Sequence, residues 1–312
     1  MFKSTSLYYE ESGKVPPIGP IIALLMGIST AIALSFAYAY AISFIPFIYL
    51  NFILTGFFGV AVGAMTAMGG GIGKIRNEKV VIGLAVFSAL IACYMSWVVT
   101  VYVWFDSDAY LFNPADLLSI IQLLAQEGVW TLKGTTPTGG ALYAVWGIEA
   151  AAIIGASYFG ALGAYSAEPF CEKCNQWTKV VELTDRLEHP EDFEAFLKGL
   201  ESKNYAVLTE LRNTKSSEAV KMKVDLLDCS SCSQVHYLRI TLSVRGFDDD
   251  GKEETEETLL INNLFLDGKT HQELMDWTKK IDEKSTIVRA SETEKAAETT
   301  ELPKENDNPL DV

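Results

Sequence analysis

The sequence predicts a two-part membrane protein, an all-α four-helix transmembrane bundle followed by a cytosolic α+β domain. Three observations predict it. Four apolar runs of bilayer-crossing length fall in the first 166 residues. Apolar and polar residues begin to alternate with a period of two only beyond residue 200. Charge is segregated as well: residues 1–166 hold eight acids and six bases, and the remainder holds 32 acids and 19 bases, nearly all of the net charge of −15. A half that acidic is soluble and repels phosphate backbones, and it has no basic patch, so nucleic acid is excluded as a partner.

About 20 apolar residues are needed to cross the hydrocarbon core. A short amino-terminal segment, 1–17, precedes the membrane domain, 18–166, whose helices are expected over about 21–44, 48–69, 80–105 and 141–165. The first two are separated only by Ile45-Pro46-Phe47, which reads as a tight hairpin at the membrane surface. The apolar run continues past the nominal cleavage pattern Ala37-Tyr38-Ala39, and Glu10 and Glu11 do not suit a signal n-region, so the first helix is expected to be retained.

Short basic loops stay in the cytosol. Lys74, Arg76 and Lys79 lie between the second and third helices, and Lys3 and Lys14 precede the first. Four crossings then place both termini in the cytosol and residues 106–140 outside, where Lys133 is the single base against Asp106, Asp108, Asp116 and Glu127. The expected location is a bacterial-type inner or plasma membrane. Within the outer loop, Asn113 and Pro114 start an amphipathic helix over about 114–126, with Leu117, Leu118, Ile120, Ile121, Leu123 and Leu124 as its apolar side. Trp104, Tyr110, Trp130, Tyr143 and Trp146 flank it at interface depth.

Gly59-x-x-x-Gly63-x-x-x-Ala67 in the second helix and Ala156-x-x-x-Gly160 in the fourth form small-residue faces that allow close helix packing, within one chain or in a homo-oligomer. Glu149 is the one Asp, Glu, Lys, Arg or His inside the four spans. It reads as a proton or cation site, or as a protonated carboxyl hydrogen-bonded between helices.

The cytosolic domain, 167–282, carries two Cys-x-x-Cys pairs, Cys171/Cys174 and Cys229/Cys232, separated by 54 residues. Each turn can aim two thiolates at one ion, two turns complete a tetrahedral shell, and cytosolic thiols stay reduced. Zn²⁺ is the expected structural cofactor. At these four positions the chain resembles zinc-ribbon modules, which implies a four-cysteine metal site on β-hairpin knuckles. The segment between the pairs reads as an insert: a helix over 190–202 capped near His189, with Phe193, Phe196, Leu197 and Leu200 on one face, then strands over 205–211 and 219–227. Leu238, Ile240, Leu242 and Val244 alternate in a further strand, and 258–266 supplies another. His236 is expected at the surface of its strand, and His189 and His271 have no ligand-spaced partners.

Asp248, Asp250, Gly251 and Glu257 fall at the third, fifth, sixth and twelfth positions of an EF-hand loop, but Gly246 stands where its first acid should be. Asp249-Asp250-Gly251-Lys252 reads better as a β-hairpin turn. A helix over 270–281 closes the domain with Leu274, Trp277 and Ile281, and residues 283–312 have the composition of a disordered acidic tail.

No nucleophile triad, Walker loop, dinucleotide fingerprint or metalloprotease helix is present, which points away from an enzyme. Three functions remain. The first is a zinc-stabilised cytosolic module that scaffolds, recruits a cytosolic protein or relays a signal from the bilayer. The second is a thiol-disulfide or metal-handling protein. The third is a small transporter or channel centred on Glu149.

Overall fold

The computed structural model describes residues 7–44, 48–106, 108–131, 134, 136–165, 168–213, 219–232, 234–247 and 250–279. The expected hairpin at Ile45-Pro46-Phe47, the bases Lys3 and Lys133, the acids Asp248 and Asp249, and the tail over 283–312 lie outside them. The chain forms two compact units, residues 11–168 and residues 1–10 with 169–312.

The first unit is helical. α1 (Ile18–Phe44), α2 (Ile48–Ile72), α3 (Glu78–Trp104) and α5 (Gly140–Ala164) are long and apolar enough to cross a membrane, while α4 (Pro114–Glu127) is short. Large apolar side chains such as Leu25, Ile53, Phe57, Ile148 and Phe159 point outward, as suits helices surrounded by lipid. Small residues set the interior. A Cβ on Gly63 would run into the Ser157 carbonyl oxygen of α5, one on Gly59 into that of Ile153, and one on Gly160 into that of Val60. Both small-residue faces are therefore used against each other, backbone to backbone. α3 starts at Asn77, whose side chain accepts from the Val80 backbone N–H at 3.2 Å. α4 starts as its sequence dictates, with Asn113 accepting from the Ala115 N–H at 3.0 Å and Pro114 in the first turn.

The second unit is a helix-and-sheet structure. β1 (Phe170–Cys171) and β2 (Gln176–Trp177) form a small hairpin. β3 (Lys179–Leu187), β4 (Val220–Asp228), β5 (His236–Phe247) and β6 (Glu253–Leu266) form an antiparallel sheet in that order. Between β3 and β4 lie α6 (Phe193–Glu201) and α7 (Ala206–Thr209), and a last helix, α8, covers 268–279. One sheet face is the core, where Met222, Val224 and Leu226 oppose Leu242, Ile240 and Leu238, beneath Phe196, Leu200, Leu208 and Leu274 of the helices. Tyr8 bridges to Leu264 on β6, and its hydroxyl donates to Glu201 Oε1 at 2.8 Å.

Several expectations need correction. The strand expected over 205–211 is the helical turn α7: Tyr205, Leu208 and Leu211 repeat every three residues, and Leu208 is fully buried against the core. α6 begins at Phe193 and not at 190, because the Asp192 side chain accepts from the Ala195 N–H at 2.9 Å and caps it there. β3 was not expected, since register shifts after Glu182 and after Thr184 break the alternation that marks a strand. β5 and β6 continue to Phe247 and Glu253, which pair across Asp250 and a left-handed Gly251 (φ 75°), so this segment is a hairpin arm and lacks the flanking helices of an EF-hand.

Candidate functional site

The four cysteines of the two pairs come together. The first pair sits on the β1–β2 hairpin, where Asn175 takes a left-handed conformation (φ 53°) to close the turn. The second pair occupies the turn from β4 into β5, closed by the Cys229 N–H donating to the Val235 carbonyl at 3.3 Å and the Cys232 N–H to the Cys229 carbonyl at 3.4 Å. All four sulfurs lie within 4.8 Å of one another, with Cys171 and Cys229 buried. Cys171 Sγ is 3.8 Å from Cys232 Sγ. The edge of a tetrahedron of sulfurs around an ion at about 2.3 Å is about 3.8 Å, and a disulfide would need about 2.05 Å. The arrangement is compatible with metal binding. The sulfur contacts run between the two motifs as well as within the first, and neither Cys-x-x-Cys opens a helix, unlike a redox motif.

Burial pushes the Cys229 thiol up, but the Ser231 backbone N–H, the Cys171 thiol and the Cys232 backbone N–H outweigh it and bring it down to about 6. Cys174 is pushed up to about 12, first by hydrogen bonding with the Cys232 sulfur and then by burial. Cys171 is raised chiefly by burial. Thiolate charge therefore collects at Cys229, and a dication entering the cluster would displace the protons held by the others.

Two residues at this cluster were missed in the sequence. The Gln176 amide donates to Cys229 Sγ at 3.2 Å and to Ser230 Oγ at 3.0 Å, while its carbonyl accepts from Ser231 Oγ at 3.1 Å. Lys173 Nζ reaches Gln234 Oε1 at 2.8 Å. Both tie the first hairpin to the second turn. Gln176 lies just past the first motif and nothing in its local pattern distinguishes it from a surface glutamine.

His236 and His271 depart from expectation. His236 is 4% exposed, its Nδ1 is 2.8 Å from Asp228 Oδ1, and His271 Nε2 is 2.7 Å from Asp228 Oδ2. The parity of β5 puts His236 on the core face with Leu238 and Ile240, which is why it is buried.

Glu149 belongs to the helical unit. It accepts a hydrogen bond from the Tyr38 hydroxyl, which is also 3.0 Å from Thr55 Oγ1, and Tyr38 stacks on Phe58. The carboxyl lines a cavity of about 430 Å³ together with Asn51, Thr55, Trp104, Trp130 and Trp146.

Comparison of the chain with family models, with curated proteins and with solved structures finds no match in any of the three.

Proposed function

We propose that this is a bilayer-anchored protein whose acidic domain, held by a structural Zn²⁺ at Cys171, Cys174, Cys229 and Cys232 in a zinc-ribbon-like arrangement, recruits a cytosolic protein. The convergence of the four sulfurs carries the reading. The metal fixes the β1–β2 hairpin against the root of the β4–β5 turn. The next hairpin, β5–β6, then ends in an arm exposed along Gly246, Phe247 and residues 250–259. Phe247 is 75% exposed there and pairs with Glu253, which Arg245 Nε meets at 2.7 Å, while Glu254, Glu256 and Glu257 are exposed further along the same strand. An exposed aromatic on a glutamate-rich arm suits a partner with a basic, aromatic-accepting surface.

The positive-inside bias favours a cytosolic placement of this domain. The pairing of Tyr8 with Leu264 supports an even number of crossings, because a segment before α1 and a strand after α5 can meet only on one side of the bilayer. The test uses the full chain in detergent. One zinc per chain, together with the thiolate-to-cobalt charge-transfer absorption after Co²⁺ substitution, is expected in the wild type and lost in Cys171→Ser. A partner protein is expected to be retained by the wild type and lost by both Cys171→Ser and Phe247→Ser, the second of which keeps its metal. Reversible disulfide formation within either pair, read by alkylation mass spectrometry, would instead favour the thiol-exchange reading.

A second reading has its own support. The cavity beside Glu149 is lined by a carboxyl, by hydroxyl and amide groups and by three tryptophans, and among the described residues no lysine or arginine lines it, which suits a cation. Cation flux into proteoliposomes that Glu149→Gln abolishes would establish transport, and unchanged flux would remove it.

A further inference from the structure

We propose that Asp228, His236 and His271 form a second metal site, separate from the cysteine cluster, that takes a borderline first-row dication such as Zn²⁺ or Fe²⁺ and leaves coordination positions open. The three side chains come from three elements. Asp228 ends β4, His236 begins β5 directly across from it, and His271 lies in the first turns of α8. One donor atom from each lies within 4.8 Å of the other two.

The strand register explains how they meet. Met222, Val224 and Leu226 occupy the core face of β4 at every second residue, and their partners Leu242, Ile240 and Leu238 do so on β5. Asp228 and His236 are the next rung of this ladder. Where the pattern calls for two more apolar residues, the chain carries a carboxylate and an imidazole. α8 then adds His271, one turn before the buried Leu274. The His236 and His271 rings stack with centroids 3.8 Å apart and planes 22° apart, both turned to the one carboxylate.

Placing three polar groups at the margin of a core costs free energy that an apolar rung would not. Hydrogen bonds between them recover part of it. The carboxylate's negative charge, however, has only the two imidazoles as partners among the described residues, and no lysine or arginine. A dication compensates that charge. Two imidazole nitrogens and one carboxylate oxygen are the donor set of open zinc sites and of non-haem iron(II) centres. The N–O separations of 2.7 and 2.8 Å are within a few tenths of an ångström of the edge of an octahedral shell with bonds of about 2.1 Å, about 3.0 Å, so a small rotation of each side chain admits the ion. Three protein ligands leave the remaining positions to water or a small anionic ligand, whereas four thiolates close the cysteine site. The two sites also differ in softness, the thiolates favouring softer ions than the imidazoles and carboxylate do. Asp228 adjoins Cys229, and the turn 229–235 that carries the second cysteine pair runs between Asp228 and His236, so one turn serves both.

The experiment is metal analysis of the full chain in detergent, loaded with Co²⁺ and washed, for the wild type, His271→Ala, His271→Gln and Cys171→Ser. The wild type is expected to hold two ions. His271→Ala should lose one while keeping the full thiolate-to-cobalt charge-transfer band, which reports that the cysteine turns are intact. Cys171→Ser should lose that band and keep the other ion. If His271→Ala loses the band as well, His271→Gln decides, because it preserves side-chain bulk and a hydrogen bond to Asp228. Wild-type stoichiometry and absorption unchanged by His271→Gln and His271→Ala would overturn the proposal, leaving a hydrogen-bonded clip and an adventitious ion only. Failure of the cysteine site alone appears differently: no thiolate band in any chain, with one ion still lost on substitution of His271.

Discussion

Cys171 Sγ and Cys232 Sγ stand 3.8 Å apart although one lies on the β1–β2 hairpin and the other in the turn before β5. This spacing joins the two motifs and not the members of one. Removing the ion with a chelator is expected to lower the unfolding midpoint of the sheet unit, and Cys171→Ser should do the same without chelator. A loss of about 3 kcal/mol, a fraction of the apparent 10–16 kcal/mol of structural zinc sites, moves the midpoint of a domain of this size by roughly 12 °C. Thermal unfolding followed by circular dichroism reads it, and a midpoint indifferent to chelator would count against a structural metal.

Gly63 and Ser157 bring α2 and α5 to backbone contact. Gly63→Val is expected to force the helices apart and to cost about 1–3 kcal/mol or more. Gly56→Val is the matched control, since nothing lies within 4 Å of a Cβ there. Unfolding in detergent should separate the two variants, and equal stability would show that the close packing contributes little.

Asp267 caps α8, its carboxylate accepting from the Thr270 N–H at 2.9 Å and the Lys269 N–H at 3.0 Å. The Thr270 N–H is the first cause of its carboxyl lying below the usual range. A carboxyl lowered by folding stabilises the folded state above its ordinary range, and the contribution disappears as pH falls through the lowered value. The protection factors of the Lys269 and Thr270 amides, taken relative to their intrinsic exchange rates at each pH, should therefore fall in acid. Asp267→Ala, expected to cost about 1 kcal/mol at neutral pH, should abolish that acid-dependent loss of protection.

Glu149 and Tyr38 are bonded across α5 and α1. Glu149→Gln retains an acceptor for the Tyr38 hydroxyl and is expected to insert and pack as the wild type does. Glu149→Leu removes it and should cost about 1–3 kcal/mol. Protease resistance of the detergent-solubilised chain distinguishes the two, and loss of folding in Glu149→Gln would mean the carboxyl supports more than one hydrogen bond.

Much of the architecture is legible in the sequence where one physical effect dominates. Uncharged apolar runs mark α1, α2, α3 and α5, and Asn113-Pro114 marks the start of α4. The Cys-x-x-Cys spacing marks the four cysteines that converge, since two thiolates on one tight turn suit one ion. Legibility fails where tertiary structure decides. Tyr205 to Leu211 alternates and repeats every three residues at once, and only packing against the core chooses α7. β3 is hidden by its two register shifts. His271 meets Asp228 through the docking of α8, which no local pattern encodes. His236 could have been placed, because it continues the parity of Leu238 and Ile240 and so had to face inward.

The bridge between Tyr8 and Leu264 imposes an order of assembly. On the ribosome Tyr8 emerges ahead of α1, while Leu264 follows α5, the last of the four membrane-length helices, so the amino-terminal strap must wait through membrane insertion before it can dock. Until then the outer strand of the nascent sheet keeps an open flank there, which a chaperone or a second nascent chain is able to occupy.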